Sequence, residues 1–115
     1  MEFEEIIREI YRWIVHYHRA VELIERCARE WPELAALYYK QFRRNGLDQL
    51  TQYLERRARQ QALRRTADPA IAARVVLETI AFFALHRHSA PDSDMNDELA
   101  EAVVIDMLSH ALRPR

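Results

Sequence analysis

Glycine is almost absent from this chain: Gly46 is the only one in 115 residues. Sheet proteins turn their strands through positive-φ positions that usually take glycine. A single glycine, with few β-branched alternations, excludes a sheet fold and points to an all-α one. Cysteine is as scarce. Cys27 stands alone, so no internal disulfide can form. The pattern favours a buried, inert thiol on an apolar face, with a redox-sensitive thiol beside Arg26 and Arg29 as the alternative. Charge of one sign is also missing. The formal net charge is −1, which argues against a free-standing nucleic-acid binder. No uncharged apolar run reaches about eighteen residues, so a membrane span is not expected. Met1-Glu2-Phe3-Glu4-Glu5 is acidic and carries no signal-peptide pattern, which makes a cytoplasmic protein the expectation. No glycine-rich phosphate loop and no nucleophile elbow is present, so an enzyme is the class with least support. Lysine is nearly missing too: Lys40 is the only one among 17 basic residues. With the abundant alanine, that pattern suggests the codon bias of a GC-rich bacterial genome.

What the chain has is apolar residues at helical spacing. Half of it is hydrophobic, enough for one domain with a modest core. Phe3, Ile6, Ile7, Ile10, Trp13, Ile14 and Tyr17 predict a helix over about 2–16, with Glu4 and Glu5 at the positive end of its dipole. His16 to Arg19 has little periodicity and reads as a joint before a second helix over about 19–30. Pro32 starts a third, long helix reaching about Arg64. Asn45-Gly46 in its middle can end a helix or be tolerated inside one. Leu47, Leu50 and Leu54 resume the earlier period, which favours one continuous, bent helix. Arg56, Arg57, Arg59, Arg64 and Arg65 crowd its negative end. The polar segment from Ser89 to Asp94 reads as a loop. The expected architecture is five helices, or six, in an orthogonal or antiparallel bundle.

The last two helices are too apolar for the outside of a small monomer. Asp68 is an N-cap and Pro69 takes the first helical position. From Ala70 to Leu85 the only charges are Arg74 and Glu78, four apart and able to pair. About two thirds of that helix's circumference is apolar, against a stripe nearer 100° on an ordinary surface helix. Asp97 to Leu112 repeats the pattern, with Glu101 interrupting the arc and Asp106 and His110 four apart on the polar side. Such a pair of helices makes half of an intersubunit four-helix bundle. The residues predicted at that homodimer contact are Ile71, Val75, Val76, Thr79 and Ile80 on the first helix. On the second they are Leu99, Val103, Val104, Met107, Leu108 and Ala111.

The order of four segments, among them Tyr53-Leu54-Glu55-Arg56-Arg57 within the long helix, resembles a known family. Trp31-Pro32-Glu33-Leu34-Ala35 opens a long helix, Ala62-Leu63-Arg64 closes it, and Asp68-Pro69-Ala70-Ile71-Ala72-Ala73-Arg74 opens the next. This looks like the C-terminal regulatory domain of TetR-family transcriptional regulators, over about residues 3–112. The resemblance implies a single effector-binding and dimerisation domain spanning residues 1–115. It also implies a small-molecule effector that controls DNA binding through an N-terminal helix-turn-helix, which does not appear in these residues. Where the family usually has glycine after the long helix, this chain has Gln61 or Ala62, so that turn must close without one.

An effector site of this kind is an apolar cavity with a few placed polar groups. Trp13, Tyr17, Tyr38, Phe42, Tyr53, Phe82, Phe83 and His86 fall on or beside predicted inner faces. They are the pocket candidates, for an apolar or aromatic effector, with ordinary core packing as the alternative for each. No metal or other cofactor is expected. His16 and His18 are two apart, as are His86 and His88, and on a helix that spacing turns the rings away from each other. His110 with Asp106 is better spaced, but two ligands make a weak site. Two other functions stay open: a helical protein–protein interaction module without a small ligand, and a small helical enzyme or carrier that binds metal or haem through the histidines.

Overall fold

The computed structural model describes residues 2–85 and 94–115, and all regular structure among them is helical. Helix α1 spans Phe3–His16 and α2 spans His18–Ala28. Tyr17 (φ −104°, ψ 17°) leaves the helical region between them, so the expected joint is a one-residue break. Pro32 then begins an unbroken helical run of α3 (Pro32–Ala35), a π-helical segment (Ala36–Arg43) and α4 (Arg44–Arg59). Helix α5 (Pro69–Ala84) and helix α6 (Asp97–Ala111) follow. With α3, the π segment and α4 counted as one rod, the described residues form five helical bodies.

Local chemistry sets most of the helix ends. The Asp68 carboxylate accepts from the backbone N–H groups of Ala70 (2.9 Å) and Ile71 (3.2 Å), and Asn96 does the same for Leu99 (3.1 Å). Each bond satisfies a donor that the first helical turn leaves without a partner. Asn45 and Gly46 stay inside α4, and no glycine has positive φ. The long helix ends at Arg59 rather than near Arg64. Its closing turn uses Gln61 at φ 61°. The N–H of Gln61 donates to Ala58 O (3.0 Å) and that of Ala62 to Arg57 O (2.9 Å). These are the two bonds of a Schellman closure, made with a side chain where glycine is usual.

The π segment is the element that periodicity does not predict. It bonds i to i+5, and so holds an extra residue relative to an α-helical turn. Its eight residues span about two turns, too few for an apolar pattern to define a period.

Helix α5 is the axis of the domain, packed against α4, α1 and α6. The main core joins Phe3, Ile7 and Tyr11 of α1, Leu50 and Leu54 of α4, and Ala73, Val76, Ile80 and Ala84 of α5. Tyr53 of α4, together with Ala100, Val104, Ile105 and Leu108 of α6 and Leu112 just beyond it, completes the cluster. Full burial of an aliphatic side chain such as Ile7 or Ile80 contributes about 1.5–3 kcal/mol. A smaller cluster of Val21, Tyr38 and Leu85 ties α2 to the π segment.

Ion pairs complete the frame. Glu101, which interrupts the apolar arc of α6, is mostly covered and meets Arg8 (3.6 Å) and Arg12 (3.2 Å) of α1. His110 meets Asp106 at 3.3 Å, as their spacing suggests. Arg64 binds α6 across the fold: its N–H donates to Leu112 O (2.8 Å) and its Nε to Ala111 O (3.0 Å). The expected Arg74–Glu78 pair is not the one formed. Glu78 instead pairs with Arg43 of the π segment, a long-range contact that helical spacing cannot reveal. Cys27 is exposed, not buried. Helix α2 turns Val21 and Ala28 inward and leaves the thiol outside.

Candidate functional site

A cavity of about 710 Å³ opens between α1, α2, the long helix and α5. Helix α1 supplies Ile6, Ile10, Trp13 and Ile14, and α2 supplies Val21 and Glu25. Tyr38, Phe42 and Arg43 of the π segment form the facing wall, continued along α4 by Gly46, Gln49, Leu50, Tyr53 and Arg56. Leu77, Glu78 and Ala81 of α5 close it, with Leu85 beyond. Size and lining suit a small organic ligand, since such sites are typically apolar clefts of about 300–1,000 Å³ with few polar groups.

The aromatic side chains form a continuous series at one end. Tyr17 and Trp13 have ring centroids 5.0 Å apart, Trp13 and Phe42 6.0 Å, and Phe42 and Tyr38 6.1 Å. Trp13 and Phe42 are about half exposed, so they stand at the mouth, whereas Tyr38 is buried. The Tyr38 hydroxyl donates to Glu25 at 2.9 Å. Burial, then the hydrogen bond to Glu25, push the Tyr38 phenol far above its ordinary pKa. Burial also raises that of Tyr53. Both are therefore neutral at any physiological pH. Near the far end Arg56 lies over the Tyr53 ring, 5.5 Å from its centroid.

Four of the eight pocket candidates line this cavity: Trp13, Tyr38, Phe42 and Tyr53. Tyr17 packs against Trp13, its ring tilted by 47°, without lining the cavity. Phe83 packs against the main core, and Phe82 is exposed on the outer side of α5. His86 lies outside the described residues, as do His88 and most of the Ser89–Asp94 segment. Sequence reasoning missed the aliphatic wall of Ile6, Ile10 and Ile14, which looks like any core face. It also missed the polar groups Glu25, Arg43, Gln49 and Arg56. A weak signal existed for Gly46, the one glycine, in the middle of a helix. A Cβ built there meets nothing within 4 Å, so Gly46 faces open space at the cavity.

The predicted contact residues separate into two faces. Val76, Ile80, Val104 and Leu108 are buried inside the single chain, so no partner can reach them. Ile71, Val75, Leu99, Val103 and Met107 are more than half exposed. They recur every four residues, with Phe82 and the exposed Ala111 further along and Thr79 partly covered between them. The reason is the width of the arcs: each helix has an inner apolar face for its own core and an outer one that this core does not use.

A sequence profile described as the AefR-like transcriptional repressor, C-terminal domain, matches residues 17–112. The chain belongs to that family. It is a regulatory domain of the TetR-like repressor type, and its all-α fold agrees with the resemblance in the helix-opening segments. No curated protein and no solved structure matched the chain. The matched span leaves out α1 up to His16, although in this TetR-type domain α1 supplies Ile6, Ile10, Trp13 and Ile14 to the cavity. Among the described residues no helix is long and apolar enough to cross a membrane. No three His, Cys, Asp or Glu side chains among them gather where they could hold a metal ion.

Proposed function

We propose that this domain is the effector-sensing and homodimerising part of a cytoplasmic, bacterial TetR-like transcriptional regulator. A small apolar or aromatic molecule occupies the cavity and alters DNA binding by a helix-turn-helix outside these residues. Its role is sensing, not catalysis. The observation that carries the reading is the 710 Å³ cavity, walled by apolar and aromatic side chains from α1, α2, the π segment, α4 and α5. Dimerisation has separate support from the exposed apolar stripe of α5 and α6. A monomer would leave Ile71, Val75, Phe82, Leu99, Val103 and Met107 in water, and such contiguous patches mark interaction sites.

Two measurements test this. Nile red, a neutral apolar dye, should bind the wild-type chain with enhanced emission. Gly46→Phe, which places a ring in the open space at the cavity wall, should abolish most of that signal without loss of helicity. Equal signals from the two would place the dye elsewhere and remove the support for an effector site. Light scattering on the size-exclusion peak should give about twice 13.7 kDa for the wild type. It should give a folded monomer for Val103→Glu, which puts a charge on the outer stripe. A wild-type monomer would favour a surface that binds a different protein.

A further inference from the structure

The charges around the cavity are unevenly matched. Arg43 is taken up by Glu78. Arg56 stacks on Tyr53 and lies thirteen residues beyond Arg43 along the long helix, about 20 Å at 1.5 Å per residue. Glu25 has no such partner. Its carboxylate lines the cavity, partly buried, and accepts one hydrogen bond, from the Tyr38 hydroxyl. Among the described residues no arginine, lysine or histidine stands within ion-pair distance of it. Beside it runs the aromatic series Tyr38, Phe42 and Trp13, each ring about 6 Å from the next. Tyr38 stays a neutral donor, so it adds no second negative charge.

We propose that the cavity takes a lipophilic cation, an aryl- or alkyl-substituted ammonium or phosphonium, with Glu25 as counter-charge and the rings of Trp13, Tyr38 and Phe42 as its wall. The proposal rests on the reading of this cavity as an effector site, and it names the class of effector. A neutral apolar occupant would strip water from the Glu25 carboxylate and offer nothing in return, which is unfavourable. An anion would be repelled at Glu25, and the arginine free to attract it, Arg56, lies at the other end of the cavity against Tyr53. A cation with apolar substituents offsets the desolvated carboxylate, places its positive charge against aromatic faces, and lays its apolar body along Ile10, Ile14 and Leu50. Its charge needs no close hydrogen-bond geometry, which suits a wall made of one carboxylate and three rings.

The test compares two probes of similar shape on the 115-residue chain by titration calorimetry: tetraphenylphosphonium, and triphenylphosphine oxide, which is aryl-rich but uncharged. The cation is expected to bind about tenfold tighter or more, as an ion pair and cation–aromatic contacts in a partly dry site would give. Glu25→Gln keeps a carbonyl oxygen for the Tyr38 hydroxyl and removes the charge. It should bring the two affinities within about twofold, mainly by weakening the cation, while the thermal midpoint and the oxide's affinity stay as they were. If the neutral oxide binds the wild type as tightly as the cation, or if Glu25→Gln leaves the preference intact, the cation assignment is overturned and the effector cavity stands. If neither probe nor Nile red binds, both readings fall together.

Discussion

Replacing Gln61 with glycine should stabilise the domain by about 1 kcal/mol. Gln61 sits at φ 61°, where the Cβ of an L-residue crowds its own carbonyl at roughly 1–2 kcal/mol. Glycine occupies that region freely. Against this, glycine gives the unfolded chain more freedom, worth about 0.4–1 kcal/mol in the other direction. The two closing bonds, from Gln61 to Ala58 and from Ala62 to Arg57, use only backbone atoms and survive the change. Unfolding entropy scales at about 2.1 cal/mol/K per residue, so 115 residues give about 0.24 kcal/mol/K and a rise in Tm of about 4 °C. The assay is thermal unfolding followed by circular dichroism at one fixed protomer concentration, because self-association would make Tm depend on concentration. Gln61→Ala is the control: it keeps the Cβ and should show no comparable gain. A glycine variant with an unchanged or lower Tm, or an alanine variant that rises as far, would refute the view that this turn holds a side chain against its conformational preference.

Three further outcomes follow from the same geometry. Gly46→Ala should raise stability by about 1 kcal/mol in urea titration, since the helix gains propensity and the new methyl meets nothing within 4 Å; a loss would show the position is crowded. Asp68→Ala removes the two hydrogen bonds that start α5 and should lower stability by about 1 kcal/mol, with Asp68→Asn retaining most of it. The raised pKa values of Tyr38 and Tyr53 mean that above pH 10 the unfolded chain releases protons the folded chain keeps. Stability from these groups is therefore fully present below about pH 10 and falls as pH rises beyond it. Tyr38→Phe should make that alkaline decline shallower in pH-dependent denaturation, whereas an unchanged slope would assign the decline to other groups.

The helix starts at Pro32, Asp68-Pro69 and Asp97 were legible, because each is set by chemistry within one turn: a proline at N1, or a side-chain oxygen reaching back to a free N–H. The break at Tyr17 was legible from a lapse in periodicity. The sorting of α5 and α6 into inner and outer faces was not. On an arc this wide, Val75 and Val76, or Val103 and Val104, carry the same apolar signal, yet the first of each pair is more than half exposed and the second is buried. Only the position of neighbouring helices distinguishes them. This changes the choice of variants. Val104→Glu would place a charge in the core and unfold the chain, so only Val103→Glu reports on the outer surface. The cavity was half legible for a related reason. Aromatic residues mark themselves as unusual, but Ile6, Ile10 and Ile14 look like core, and Glu25 and Arg43 acquire a role only from partners 13 and 35 residues away.

Helix α5 joins these features physically. At about 100° per residue its circumference divides three ways. Ala73, Val76, Ile80 and Ala84 face the core, Leu77 and Ala81 face the cavity, and Ile71, Val75 and Phe82 form the outer stripe. Glu78 falls at the seam between cavity and stripe. It is about half exposed, and Arg43 reaches it from the π segment. The π segment is thus tied to two cavity walls by polar contacts, to α2 through Tyr38–Glu25 and to α5 through Arg43–Glu78. An occupant that displaced Phe42 or Tyr38 would shift the backbone carrying both contacts, and one of them ends on the helix that bears the outer stripe. A close-packed helix moves as a body rather than one side chain at a time. A displacement of α5 at the cavity wall would therefore move its outer face as well, because the two faces belong to one helix.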